Sequence, residues 1–227
     1  MLKRISSHTY KHCRSCCYST RSSDAYYNNR NYNNSNSGNK GTNSSPALTP
    51  AQHQLLSSII RVDQAGEIAA NSIYAGQYAV LQKDPVDEPI IAAMWEGEKR
   101  HLDTFNKLQI QHRVRPTLIS PLAHTLGYAL GYSSALLGRE AAMACTEAVE
   151  TVIGEHYDDQ LRDMVEQLPQ DESMKLLANI IEEFRDDELE HLDTAVENHA
   201  HQAPAHALFS AAVAQGCKIA IQLCKRV

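Results

Sequence analysis

Two short stretches, Glu98-Lys99-Arg100-His101 and Glu188-Leu189-Glu190-His191, repeat a Glu-x-x-His spacing 90 residues apart, and this repetition restricts the fold more than any other feature of the chain. On an α-helix, residues three apart share a face at roughly 5–6 Å between Cβ atoms, so each stretch can aim one carboxylate and one imidazole at a single point. Both motifs interrupt apolar stripes. Ile91, Met94, Phe105 and Leu108 bracket the first, and Leu177, Ile180, Ile181, Phe184, Leu192 and Ala195 bracket the second. At the 3.6-residue period such stripes face a core, and a solvated charged face would not be bracketed this way. Lys99, Arg100, Asp103 and Lys107 fall on the opposite, wet face of the first helix, as Glu182, Glu183, Arg185, Asp186 and Glu190 do on the second.

A lone inward Glu precedes each motif: Glu67 lies 31 residues before Glu98, and Glu150 lies 38 before Glu188. A half-bundle duplicated and packed on itself produces this order. Four carboxylates and two imidazoles projecting into a four-helix bundle make the carboxylate di-iron or di-manganese site of ferritin-like proteins. The expected fold is therefore all-α, a ferritin-like four-helix bundle with additional apolar helices. Two divalent ions bring four positive charges into an apolar core, which the carboxylates of Glu67, Glu98, Glu150 and Glu188 neutralise. Oxygen donors with one imidazole per metal, His101 and His191, suit iron or manganese better than thiolate-rich zinc sites. Glu98 and Glu188 are best placed to bridge, with Glu67 and Glu150 at the ends; Glu147, one turn before Glu150, would substitute in a shifted register. Each histidine needs a partner for its second ring nitrogen, and Asp63 and Asp187 are the candidates.

The helices can be bounded from local signals. Thr49-Pro50 offers a capping hydroxyl before a proline at the first helical position, opening a helix over 50–82 that Lys83-Asp84-Pro85 stops. A second helix is expected over 87–111, a third from 134 or earlier to 167, and a fourth over 172–199 behind Asp171 as N-cap. No formally charged residue falls in 117–138, a span long enough to cross a bilayer at about 1.5 Å per residue. Its Ser, Thr, His, Tyr and Gly content fits a buried helix or a membrane-surface segment better. After Pro204 an apolar stretch through Phe209, Val213, Ile219 and Leu223 reads as a last helix, packed on the bundle or lying on a membrane.

Charge divides the chain in two. Residues 1–45 hold seven Lys or Arg against Asp24 alone, a balance of +6, so the other 14 basic and 26 acidic residues leave 46–227 at −12. The basic, Ser- and Asn-rich first segment has no apolar secretory core and reads as a mitochondrial transit peptide with a disordered spacer, or simply as a disordered tail. Residues 46–227 form the ferritin-like domain. An acidic fold argues against a nucleic-acid partner. Cys13, Cys16 and Cys17 lie in the basic segment without a core to support a zinc site, and Cys145, Cys217 and Cys224 fall in helical patterns as buried free thiols. No Gly-x-Gly-x-x-Gly follows a strand, so no Rossmann-type dinucleotide domain is expected.

Four stretches go beyond the generic site. Arg61-Val62-Asp63-Gln64-Ala65-Gly66-Glu67, Ile73-Tyr74-Ala75-Gly76-Gln77, Ala142-Met143-Ala144-Cys145-Thr146 and Phe184-Arg185-Asp186-Asp187-Glu188-Leu189-Glu190-His191 resemble the mitochondrial demethoxyubiquinone hydroxylase family, over about 55–227. The resemblance implies a di-iron monooxygenase that hydroxylates the ring of demethoxyubiquinone with O2, in the penultimate step of ubiquinone synthesis. It implies Glu67, Glu98, His101, Glu150, Glu188 and His191 as iron ligands, and reducing equivalents from NADH or NADPH. His156-Tyr157 matches a family dipeptide associated with electron transfer, although Tyr157 could simply pack inside its helix. The resemblance also implies a lipid-binding partner, other members of a ubiquinone-synthesis complex, and a peripheral place on the matrix side of the mitochondrial inner membrane. Two other readings remain at this point: a ferritin-like iron-storage or ferroxidase protein, and a non-catalytic scaffold of that complex.

Overall fold

The computed structural model describes residues 48–227; the basic segment 1–45, with Cys13, Cys16 and Cys17, lies outside the described residues. Among the described residues there are six α-helices and no strand: α1 Pro50–Leu81, α2 Asp87–His112, α3 Ser120–Leu136, α4 Arg139–Gln167, α5 Glu172–Glu197 and α6 His206–Cys224, with a 3-10 turn Ala200–Gln202 before α6. The ferritin-like expectation holds. Helices α1, α2, α4 and α5 form the bundle, α3 lies along α1, and α6 lies along α4.

Local chemistry sets the helix ends. Thr49 Oγ1 accepts the Gln52 N–H at 3.3 Å while Gln52 Oε1 accepts the Thr49 N–H at 2.9 Å, a reciprocal capping box that opens α1. Asp171 caps α5 through the Met174 N–H at 3.0 Å. Asp84 Oδ1 takes the N–H groups of Val86 and Asp87, turning the chain into α2.

Two apolar layers fill the bundle and leave a polar storey between them. One layer packs Ile60, Phe105, Leu108, Leu177, Ile180 and Phe184. The other packs Ile91, Met94 and Met143 with the small Ala141, Ala144, Ala195 and Ala200.

Two helix bounds need correcting, and of the two readings of 117–138 the buried helix fails: in α3, Gly127, Gly131, Ser134 and Ala135 pack inward, while Leu122, Leu126 and Leu136 are 52%, 58% and 62% exposed. The third long helix does not begin at 134, because Gly138 adopts φ 122°, open to glycine but not to L side chains, and breaks the chain between α3 and α4. Helix α5 stops at Glu197 because His199 turns left-handed. Of the three thiols, Cys145 and Cys224 are buried and Cys217 is half-buried.

Candidate metal centre

The four bundle helices deliver six side chains to the polar storey: Glu67 from α1, Glu98 and His101 from α2, Glu150 from α4, Glu188 and His191 from α5, all buried. They form two groups, Glu67 with Glu98, His101 and Glu188, and Glu98 with Glu150, Glu188 and His191, the donor atoms within each lying inside 4.8 Å of one another. Both groups contain Glu98 and Glu188. The two carboxylates from the Glu-x-x-His motifs are thus the shared ones, and Glu67 and Glu150 stand at opposite ends.

The surroundings repeat the two-fold pattern. Tyr157 donates to Glu67 Oε1 at 2.5 Å, and Tyr74 donates to Glu150 Oε1 at 2.7 Å. Each tyrosine lies seven residues after one end glutamate and reaches across to the other. His101 Nδ1 faces Glu188 Oε1 at 3.1 Å, its Nε2 faces Asp187 Oδ2 at 3.1 Å, and its ring stacks on Phe184 at 4.0 Å between centroids. Asp187 therefore orients the histidine of the other motif rather than His191. His191 Nδ1 lies 3.1 Å from Glu188 Oε2 and from Glu98 Oε1. The position before Glu98 that matches Asp187 is Gly97, and His191 Nε2 lies close against it. The two halves differ here, one histidine held by a carboxylate and the other meeting a bare backbone.

Asp63 serves neither histidine. It accepts from Gln160 Nε2 at 2.6 Å, and that nitrogen also sits 2.9 Å from His156 Nε2. His156 is thus outside both four-residue donor groups, while Tyr157 touches Glu67. Glu147 turns away to His201 and His206. The sequence signal for the two tyrosines is their shared offset, seven residues after Glu67 and seven after Glu150, which places each on the inward face without showing its partner on another helix. His201 and His206 gave no such sign, being joined to Glu147 only by the fold.

Burial and like charge set the electrostatics of the group. Burial, reinforced by neighbouring carboxylates, raises Glu67, Glu98 and Glu150 above the usual range. Burial also acts to raise Glu188, but hydrogen bonds from His101 and His191 outweigh it and hold that carboxyl well below. Burial acts to lower the two histidines, and the carboxylates around them override it and raise both. Tyr74 and Tyr157 are pushed up by burial and by the glutamates they contact. Even so, Glu67 Oε2, Glu98 Oε2 and Glu150 Oε2 are buried with no hydrogen-bond partner. Unpaired buried carboxylate oxygens are costly, and aimed at common points they fit cations. The residues present therefore suit two divalent ions bound through oxygen and imidazole.

Comparison with known proteins adds an independent line. Residues 54–224 match the family model described as ubiquinone biosynthesis protein COQ7. The chain is 50% identical over 169 residues to the human NADPH-dependent 3-demethoxyubiquinone 3-hydroxylase, mitochondrial, covering 74% of this chain and 76% of that one. It is 44% identical over 190 residues to the 5-demethoxyubiquinone hydroxylase, mitochondrial, of Saccharomyces cerevisiae, covering 79% and 82%. It is 46% identical over 178 residues to the 3-demethoxyubiquinol 3-hydroxylase of Rhodospirillum rubrum, covering 78% and 81%.

Proposed function

The chain belongs to the family of ubiquinone biosynthesis protein COQ7, and from that membership and the buried cluster we infer a mitochondrial hydroxylase that acts on demethoxyubiquinone. The human relative is named as NADPH-dependent, which supports NADPH over NADH as the reductant here. The observation that carries the reading is the pair of donor groups sharing Glu98 and Glu188 inside the bundle.

We assign Glu67, Glu98, His101, Glu150, Glu188 and His191 to two irons. Bound there, iron supplies reductive activation of O2, one atom entering the ring as hydroxyl and the other leaving as water. The protein's part is holding and insulating. Glu98 and Glu188 would serve both ions, and the four carboxylates would balance their charge. Loading exchanges protons for metal, because the raised glutamates and the two histidines must give up theirs. Asp187 fixes His101 with Nδ1 toward the cluster, and Tyr74 and Tyr157 fix the end carboxylates. Phe184, Ile60, Phe105 and Ile180 keep water out on one side. His156 and Tyr157 would take part in electron delivery; Tyr157's contact with Glu67 supports that for the tyrosine alone.

The same proposal places the protein peripherally on the matrix side of the inner membrane, with a lipid-binding partner and other members of a ubiquinone-synthesis complex. Its support is the exposed apolar surface of α3 and α6. Helix α6 is also long and apolar enough, by length and composition alone, to cross a membrane. The test is a product assay with iron-loaded protein, NADPH, O2 and demethoxyubiquinone. Hydroxylated product is expected, with turnover falling to background in Glu188→Ala; undiminished turnover by strictly metal-free protein would overturn the reading.

A further inference from the structure

We propose that Glu147, His201 and His206 form a separate metal site, of the two-histidine, one-carboxylate class, which takes a zinc ion and fastens the base of α6 to α4. His201 Nε2 lies 2.9 Å from Glu147 Oε1, and His206 Nε2 lies 2.7 Å from Glu147 Oε2. The two rings meet edge to face at 5.0 Å between centroids, and the donor atoms all lie within 4.8 Å of one another. Zinc bonds to imidazole and carboxylate of about 2.0–2.2 Å in a tetrahedron separate donor atoms by roughly 3.3 Å. The two nitrogen–oxygen separations, 2.9 and 2.7 Å, are somewhat shorter than that value, so an ion entering between the donors would spread them by a few tenths of an ångström, within reach of side-chain rotation.

The donors come from three places that the fold alone unites: the N-terminal third of α4, the 3-10 turn, and the first residue of α6. Left-handed backbone at His199, φ 73°, and Ala205, φ 51°, turns the chain on either side and brings the imidazoles to one carboxylate. Two nitrogens to one carboxylate is a softer set than the buried centre, where four carboxylates serve two imidazoles. It favours late divalent ions, as in zinc sites with three protein ligands and an open fourth position. Side-chain exposures of 17%, 25% and 62% for Glu147, His206 and His201 leave a route for the ion and room for water as the fourth ligand.

The test uses untagged, full-length, iron-loaded protein, dialysed against Zn2+ with zinc and iron both measured by elemental analysis. The parent should hold one more zinc per chain than the His201→Gln, His206→Gln double variant, at equal iron. Cys13, Cys16 and Cys17 are common to both proteins, so only the difference is read. Glu147→Gln should weaken this zinc at least about tenfold, and zinc-edge absorption should show imidazole scattering lost in the double variant. Should the double variant misfold by circular dichroism, His201→Ala, at an exposed side chain, reads the same loss of affinity. Equal zinc in parent and variants, or zinc taken up only as iron leaves, overturns the proposal and leaves a plain hydrogen-bonded cluster.

Discussion

Tyr74 and Tyr157 show how single side chains repeat the symmetry of the chain. Each donates to the end glutamate of the other half from the same offset. Phe at either position leaves a buried carboxyl oxygen without its donor, a loss of about 1–3 kcal/mol. Denaturant unfolding of the metal-free Tyr74→Phe and Tyr157→Phe proteins should therefore give similar destabilisation. If Tyr157 only positions Glu67, turnover falls alike in both; a far larger loss in Tyr157→Phe at matched stability would assign the tyrosine a part in electron delivery. Asp63 offers a second, pH-resolved test. Burial pushes its carboxyl up to about 8, against which the Gln160 hydrogen bond works only partly. The native state then keeps a proton that the unfolded chain loses near the ordinary value of 3.8, so this contribution is fully present below that value and is lost as pH rises toward 8. Asparagine keeps the acceptor for Gln160 and removes the titration. Urea unfolding at pH 5, 7 and 9 should show the advantage of Asp63→Asn over the parent growing across that window, by about 1.4 kcal/mol per unit at most. A difference flat with pH would mean that Asp63 is ionised in the native protein. Burial lowers His156 to about 4, so its imidazole stays neutral through the same range.

At the scale of helices, the close crossing of α1 and α3 is made by glycine. A Cβ on Gly131 would overlap the Ile73 carbonyl oxygen, one on Gly76 would overlap the Tyr128 carbonyl oxygen, and one on Gly127 would stand 2.7 Å from the Ala69 carbonyl oxygen. Backbone cannot yield as a flexible side chain does. Gly131→Ala should cost about 3 kcal/mol or more and loosen α3 first, seen as a lowered melting temperature with early proteolysis in 120–136; unchanged melting would refute the tight crossing. This crossing also shows where sequence reading ran out. The bundle helices were legible because charged and apolar residues alternate at the helical period, and because Thr49 and Asp171 carry capping oxygens. The six donors were legible because polar residues stood inside apolar stripes. Helix α3 has neither contrast: its inward face is glycine and its outward face leucine, so composition alone could not say which side was buried. The pairing of Asp187 with His101 was hidden for another reason. Spacing reports neighbours along one helix, and this bond crosses between two.

For the molecule as a whole, the question is how a polar cluster in a sealed bundle meets a lipid-soluble substrate. Leu118, Leu122, Leu126 and Leu136 on one side, with Leu208, Ile219 and Leu223 of α6, leave large apolar side chains 47–75% exposed. Residues 46–227 carry 14 basic and 26 acidic side chains, a balance of −12, so the proposed membrane contact would draw on apolar burial rather than on net attraction to anionic lipid. A leucine side chain moved fully out of water contributes about 1.5–3 kcal/mol, and half of that from three leucines changes partition by about tenfold or more. The Leu122→Ser, Leu126→Ser, Leu136→Ser triple variant should therefore bind neutral phosphatidylcholine vesicles at least about tenfold more weakly in flotation assays, and the parent's binding should change little with salt. Because these side chains point away from the bundle, the variant should keep its melting temperature and its turnover of a short-tailed quinone in detergent. Turnover of a long-tailed quinone in vesicles should fall with partition. Equal flotation of parent and variant would remove this surface from membrane docking, and salt-sensitive binding would move the contact to a basic segment instead.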